Sequence, residues 1–135
     1  MAAVMSVLLV DDNGEFLDSI ARLLAEDSRM RIVGRASSGQ EALEMTARLK
    51  PDVVFMDLAM PEMNGLQATR QLKEQSTPPH VVIMTCHGNK EYQVAASIAG
   101  ADAFISKDDF YAHFPRLLDW LLRQRNPRGD SSKEP

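Results

Sequence analysis

Five residues carry the chemistry open to this sequence: Asp11, Asp12, Asp57, Thr85 and Lys107. Each stands at the downstream end of a short apolar run. Asp11-Asp12 follow Val7-Leu8-Leu9-Val10, and Asp57 follows Val53-Val54-Phe55-Met56. Thr85 follows Val81-Val82-Ile83-Met84, and Ser106-Lys107 follow Ala103-Phe104-Ile105. Three carboxylates gathered in one place repel each other. A hard divalent cation relieves that repulsion, and Mg2+ suits one or two carboxylates plus phosphate oxygens. With the charge relieved, the Asp57 carboxylate could attack phosphorus and become an aspartyl phosphate. The metal, Lys107 and Thr85 would then hold the transferring oxygens.

These residues meet only if the runs that carry them lie side by side. The runs lack polar alternation, as strands buried on both faces do, and Arg31-Ile32-Val33-Gly34 adds a fifth. Between them lie segments of helical spacing. Phe16, Ile20, Leu23 and Leu24 form one stripe, and Ala42, Leu43, Ala47 and Leu49 a looser one. Leu66, Ala68, Thr69 and Leu72 suggest a third, and Val94, Ala95 and Ile98 a fourth. Phe110, Phe114, Leu117, Leu118, Leu121 and Leu122 form the clearest. The alternation predicts a parallel α/β sheet with right-handed helical crossovers and helices on both faces. Ligands of such sheets bind beyond the carboxyl ends of the strands, where all five residues fall.

Taken singly, each residue has an ordinary explanation. Asp11, Asp12 and Asn13 would suit the cap of the first helix. A lone Asp after a strand, a strand-end Thr and a surface Lys are all common. Acidic pair, Asp, Thr and Lys at the ends of runs one, three, four and five are together much harder to dismiss.

Composition narrows the classes. The 135 residues, 44% hydrophobic and 25% charged, fit one soluble domain with a core of its own. A net charge of −4 argues against a nucleic-acid surface. Cys86 is the single cysteine, so no internal disulfide forms and a reducing cytoplasm is expected. Neither a secretory leader nor an apolar run of bilayer length is evident, so no membrane partner is expected. Residues 125–135 are polar, Gly- and Pro-containing, and read as a flexible tail or linker. His80, His87 and His113 share no metal-ligand spacing and are expected at the surface. Trp120 falls about 110° from the centre of the last stripe, on the shoulder of its helix, its ring expected against the first helix.

Leu8-Leu9-Val10-Asp11-Asp12, Val53 to Gly65, Val82-Ile83-Met84-Thr85 and Ala99 to Lys107 closely resemble the receiver domain of two-component response regulators. The Asp-x-x-Met-Pro-x-Met-x-Gly stretch from Asp57 to Gly65 is the most specific of the four. The resemblance implies a flavodoxin-like, doubly wound sheet of strand order 2-1-3-4-5, with residues 1–124 as the receiver. It implies that Asp57 accepts phosphate from a sensor histidine kinase or phosphotransfer protein, that Asp11, Asp12, Asp57 and the Ala59 carbonyl hold Mg2+, and that Lys107 and Thr85 contact the phosphoryl group. Thr85 and Phe104 take the places of switch residues, and a homodimer or an output domain would read the change. Asp108-Asp109 follow Lys107 where many receivers have proline, a pattern similar to receivers of the nitrate-regulator type. Ala59 and His87 occupy positions that tune water access to the acyl phosphate.

Two other readings stand beside the switch. One is the input domain of a DNA-binding regulator, this chain itself not touching DNA. The other is a Mg2+-dependent aspartyl phosphatase, which usually carries Asp-x-Asp on its first strand and a cap domain, features this chain lacks.

Overall fold

The apolar runs form β1 (Met5–Val10), β2 (Met30–Ala36), β3 (Val53–Asp57), β4 (His80–Thr85) and β5 (Ala103–Ser106). Between and after them come α1 (Gly14–Ala25), α2 (Gly39–Leu49), α3 (Gly65–Lys73), α4 (Lys90–Ala99) and α5 (Phe110–Arg125). The computed structural model describes residues 4–60, 63–86 and 90–125. His87 and residues 126–135 of the expected tail lie outside them, and Arg125, the expected start of that tail, is the last residue of α5.

Every strand pairing is parallel and the order is β2-β1-β3-β4-β5, the doubly wound arrangement expected. Alternate side chains of a strand go to opposite faces, and both faces are covered. On one face α1 and α5 press Leu17, Ile20, Leu24, Phe110, Phe114 and Leu121 onto Val7, Leu9, Phe55, Val82 and Met84. On the other, α2, α3 and α4 set Ala42, Ala68, Leu72 and Ala96 against Leu8, Val10, Val54, Met56 and Ile83. This two-sided burial is why the central strands read as unbroken apolar runs.

The helix starts lie at the rim where the strands end. Asn13 caps α1, its side chain accepting the Phe16 N–H at 3.1 Å. Ser38 caps α2, and Asn64 and Gln67 form a reciprocal capping box on α3. Because Asn13 does the capping, Asp12 is left for other chemistry.

Three sequence expectations are corrected. In α4 the buried residues are Ala96 and Ala99, whereas Val94 is 50% and Ile98 74% exposed. The small side chains face inward and the large apolar ones outward. In α2 Ala47 is exposed and Thr46 is buried. His80 is half-buried at the start of β4, its Nδ1 3.8 Å from Asp102 Oδ1. Trp120 is half-buried on the α5 shoulder, as expected, packed against the core cluster that includes Leu17, Ile20 and Leu24 of α1, with its ring edge-on to His80 at 6.2 Å.

Candidate functional site

Strand register alone brings the chemical residues together. Val10 lies opposite Met56, so Asp11 and Asp57 come next on neighbouring strands. Asp57 lies opposite Met84, one residue before Thr85, and Thr85 lies opposite Ser106, one residue before Lys107. The Lys107 N–H closes the row by donating to the Thr85 carbonyl at 2.8 Å.

At the centre, the Lys107 ammonium stands 3.1 Å from Asp57 Oδ1 and closer still to Asp11 Oδ2. Asp11, Asp57 and Thr85 are buried and Asp12 is exposed. Asp11 Oδ1 accepts the Asn13 N–H at 2.9 Å, which fixes the carboxylate beneath the first helix. Burial pushes the Asp57 carboxyl up to about 6; the Asp11 charge adds to this, and Lys107 pulls the other way. Burial would lower Lys107, but its pairing with Asp11 and Asp57 holds it above the ordinary lysine value. The cluster therefore stores repulsion between carboxylates that a single ammonium only partly offsets.

Carboxylate oxygens of Asp11, Asp12 and Asp57 all lie within 4.8 Å of one another. The buried Asp11 Oδ2 is held by the Lys107 ammonium, and Asp11 Oδ1 by the Asn13 N–H. An all-oxygen donor set with one member open to solvent fits a hard, partly hydrated cation such as Mg2+. Ala59 is exposed, two residues beyond Asp57 on the loop that leaves β3. Phe104 is half-buried against the α2–α4 face, opposite Ile83 in register, away from the carboxylates. Asp108 and Asp109 form the turn into α5, their N–H groups donating to the Ser106 hydroxyl (3.2 Å) and carbonyl (3.3 Å).

Two residues acquire a role at the site that their spacing did not give them. The Phe16 ring, expected simply in the α1 core stripe, has the Lys107 ammonium 4.7 Å from its centroid. Gly65, expected at a helix start, lies directly against the Asp57 backbone and donates its N–H to the Leu58 carbonyl at 2.9 Å. The sequence signal for the first was its place in the turn after the acidic pair; for the second it was Gly after a capping Asn.

A doubly wound parallel sheet with three carboxylates and a lysine on its C-terminal rim defines a class of small phosphate-handling domains. Residues 7–113 match the response regulator receiver domain, and the chain belongs to that family of phosphorylation-controlled signalling domains of two-component systems. It is similar to the nitrate/nitrite response regulator NarL of Escherichia coli, at 33% identity over 76% of this chain and 48% of that protein. The chemotaxis protein CheY of Halobacterium salinarum is 40% identical over 75% of this chain and 82% of CheY. The solved receiver domain of NarL from Mycobacterium tuberculosis superposes with a TM-score of 0.81 at 28% identity, covering 88% of this chain and 97% of that one. The chain spans about half the length of NarL and of the similar Bacillus subtilis regulator YhcZ. No described helix is long and apolar enough to cross a membrane.

Proposed function

We propose that this domain is a switch in which Asp57 accepts a phosphoryl group from a phosphohistidine of a sensor kinase or phosphotransfer protein. The reading is carried by one observation: a buried carboxylate at the end of β3, paired with Lys107 and flanked by two further carboxylates on the next strand's end. An Asp57 oxygen forms the new O–P bond while the bond from phosphorus to the donor nitrogen breaks, and the imidazole leaves with that electron pair. Asp11, Asp12, Asp57 and the Ala59 carbonyl would hold Mg2+, which supplies positive charge to the phosphoryl oxygens. Lys107 exchanges its carboxylate partner for a phosphoryl oxygen, and Thr85, one register step away, turns its hydroxyl to another. Phe104 then occupies space released beside Thr85, so the face formed by α4, β5 and α5 changes for a partner.

Incubation with acetyl phosphate and Mg2+, followed by intact mass, tests the reading. A phosphoryl adduct lost in Asp57→Asn supports it; an undiminished adduct in that variant moves the acceptor elsewhere. The similarity to NarL and YhcZ, each about twice this length, favours an output domain on the same polypeptide as the reader. In that arrangement this domain supplies the input and the attached domain meets DNA.

A further inference from the structure

Three groups surround the Lys107 ammonium: the Asp11 and Asp57 carboxylates and the face of Phe16, 4.7 Å from the ring centroid. Two of the three are the anions that a divalent cation would neutralise. Their pull on the lysine weakens when that charge arrives, which is when the ammonium has to meet the phosphoryl group. The attraction of the ring arises from its quadrupole and is not consumed by a cation bound to the carboxylates.

We infer that Phe16 is a positioning residue for Lys107, its ring face keeping the ammonium over Asp57 when the carboxylates are neutralised. The inference rests on the reading of Asp57 as acceptor. The ring is itself fixed. Phe16 lies in the first turn of α1, its N–H held by the Asn13 cap. It packs perpendicular to Phe110 at 5.9 Å, and Phe110 stacks on Phe114 at 5.5 Å. Phe110 also meets Phe55, two residues before Asp57 on β3, at 6.2 Å. The Phe110 N–H donates to the Lys107 carbonyl at 3.4 Å, so lysine and ring are tied through the same helix start. The Lys107 side chain is only 11% exposed, so little water competes with the ring. A core role for Phe16 would require the packing on Phe110 but not the ammonium over its face.

The test is NMR of the Lys107 ε-methylene protons combined with phosphorylation of Asp57 by acetyl phosphate. In the wild type these protons resonate upfield of an exposed lysine through the ring current, and they stay upfield at saturating Mg2+. Phe16→Leu removes the upfield shift and slows phosphorylation about fivefold, the factor equivalent to about 1 kcal/mol; Phe16→Trp restores both. In a Lys107→Met background, Phe16→Leu has no further effect. Progressively fluorinated phenylalanine at position 16 keeps the shape while weakening the ring face, so it carries the same test if the leucine variant folds poorly. The inference is overturned if the ε protons return to exposed-lysine values once Mg2+ is added. It is equally overturned if Phe16→Leu slows Lys107→Met as much as wild type. A wild type that forms no Asp57 adduct overturns the acceptor reading itself, and this inference with it.

Discussion

A Cβ on Gly65 would stand 2.1 Å from the carbonyl oxygen of Asp57. The helix α3 therefore begins in contact with the backbone of the candidate acceptor, and only a residue without a side chain permits it. Gly65→Ala has to push α3 or the end of β3 aside. The expected cost is about 1–3 kcal/mol, the usual range for forced overpacking, with slower Asp57 phosphorylation. Gly14→Ala is the control, since nothing lies within 4 Å of a Cβ there; it should leave stability unchanged or slightly raised. Urea unfolding of both variants checks this, and equal midpoints would refute the close approach.

Asp57→Asn should stabilise the domain at neutral pH while abolishing the adduct. The folded carboxyl titrates at about 6, above its ordinary 3.8. The folded state thus binds the proton more tightly, and stability falls as pH rises from about 4 through 6. Wild type carries the full cost at pH 7 and above, and the amide removes it, by about 1–2 kcal/mol after allowing for the lost Lys107 pair. Below pH 4 the two proteins should melt alike. Mg2+ should narrow the gap at pH 7 by stabilising wild type more than the variant. A variant less stable than wild type at pH 7 would show that the lysine pair outweighs the carboxylate repulsion.

The opposite sign is expected at the other end of the sheet. Asp102 accepts from Lys73 Nζ and from the Val81 N–H, both at 2.8 Å, and Lys73 also donates to the Pro79 carbonyl at 2.9 Å. Burial alone would raise this carboxyl, but the nearby His80 ring and the hydrogen bonds from Lys73 and Val81 hold it at about 2. Its contribution is present above 3.8 and disappears as pH falls through 2. Asp102→Asn should cost about 2 kcal/mol at pH 7 and almost nothing near pH 2, with Asp57 phosphorylation unchanged. Thermal melts across that range measure it.

The strands and the rim were legible because their signals are local and mutually consistent. Two-sided burial writes an unbroken apolar run, and the parallel register then places whatever follows each run beside its neighbours. Asp11, Asp57, Thr85 and Lys107 needed only that rule. Helix phase was harder. Leu17 is buried in α1 although Phe16 led its stripe, and the half-buried Phe16 ring packs edge-on against Phe110. In α4, spacing counted Val94 and Ile98 as core by size, but a helix crossing close to the sheet buries alanine. The Phe16–Lys107 contact left only a faint trace in the sequence, the place of Phe16 in the turn after the acidic pair.

That inversion in α4 yields the last prediction. Ala96 is 1% and Ala99 5% exposed, while Tyr92, Val94 and Ile98 present 40%, 50% and 74% of their surface. Ile98→Ser should therefore change stability by less than about 0.5 kcal/mol, as surface substitutions do, whereas Ala96→Val should cost about 1–3 kcal/mol by overpacking. The reverse order would restore the spacing-based phase. The helix ends in a tight cap: the Gly100 N–H donates to the Ser97 carbonyl and the Ala101 N–H to the Ala96 carbonyl, both at 3.0 Å, with Gly100 at φ +103°. Among the described residues of α4 the buried side chains are the small Ala96 and Ala99, a modest apolar anchor for a helix that has to respond. Phosphorylation adds nearly two negative charges at Asp57, and moving a 1:99 equilibrium to 99:1 takes about 5.5 kcal/mol of differential interaction. A few charge-assisted hydrogen bonds to Lys107 and Thr85, with a metal, are of that order. Amide exchange after phosphorylation should therefore change in residues 90–99 and at Phe104 and remain as before in α2. Changes confined to α1, with α4 and Phe104 untouched, would rule out this route from Asp57 to the surface.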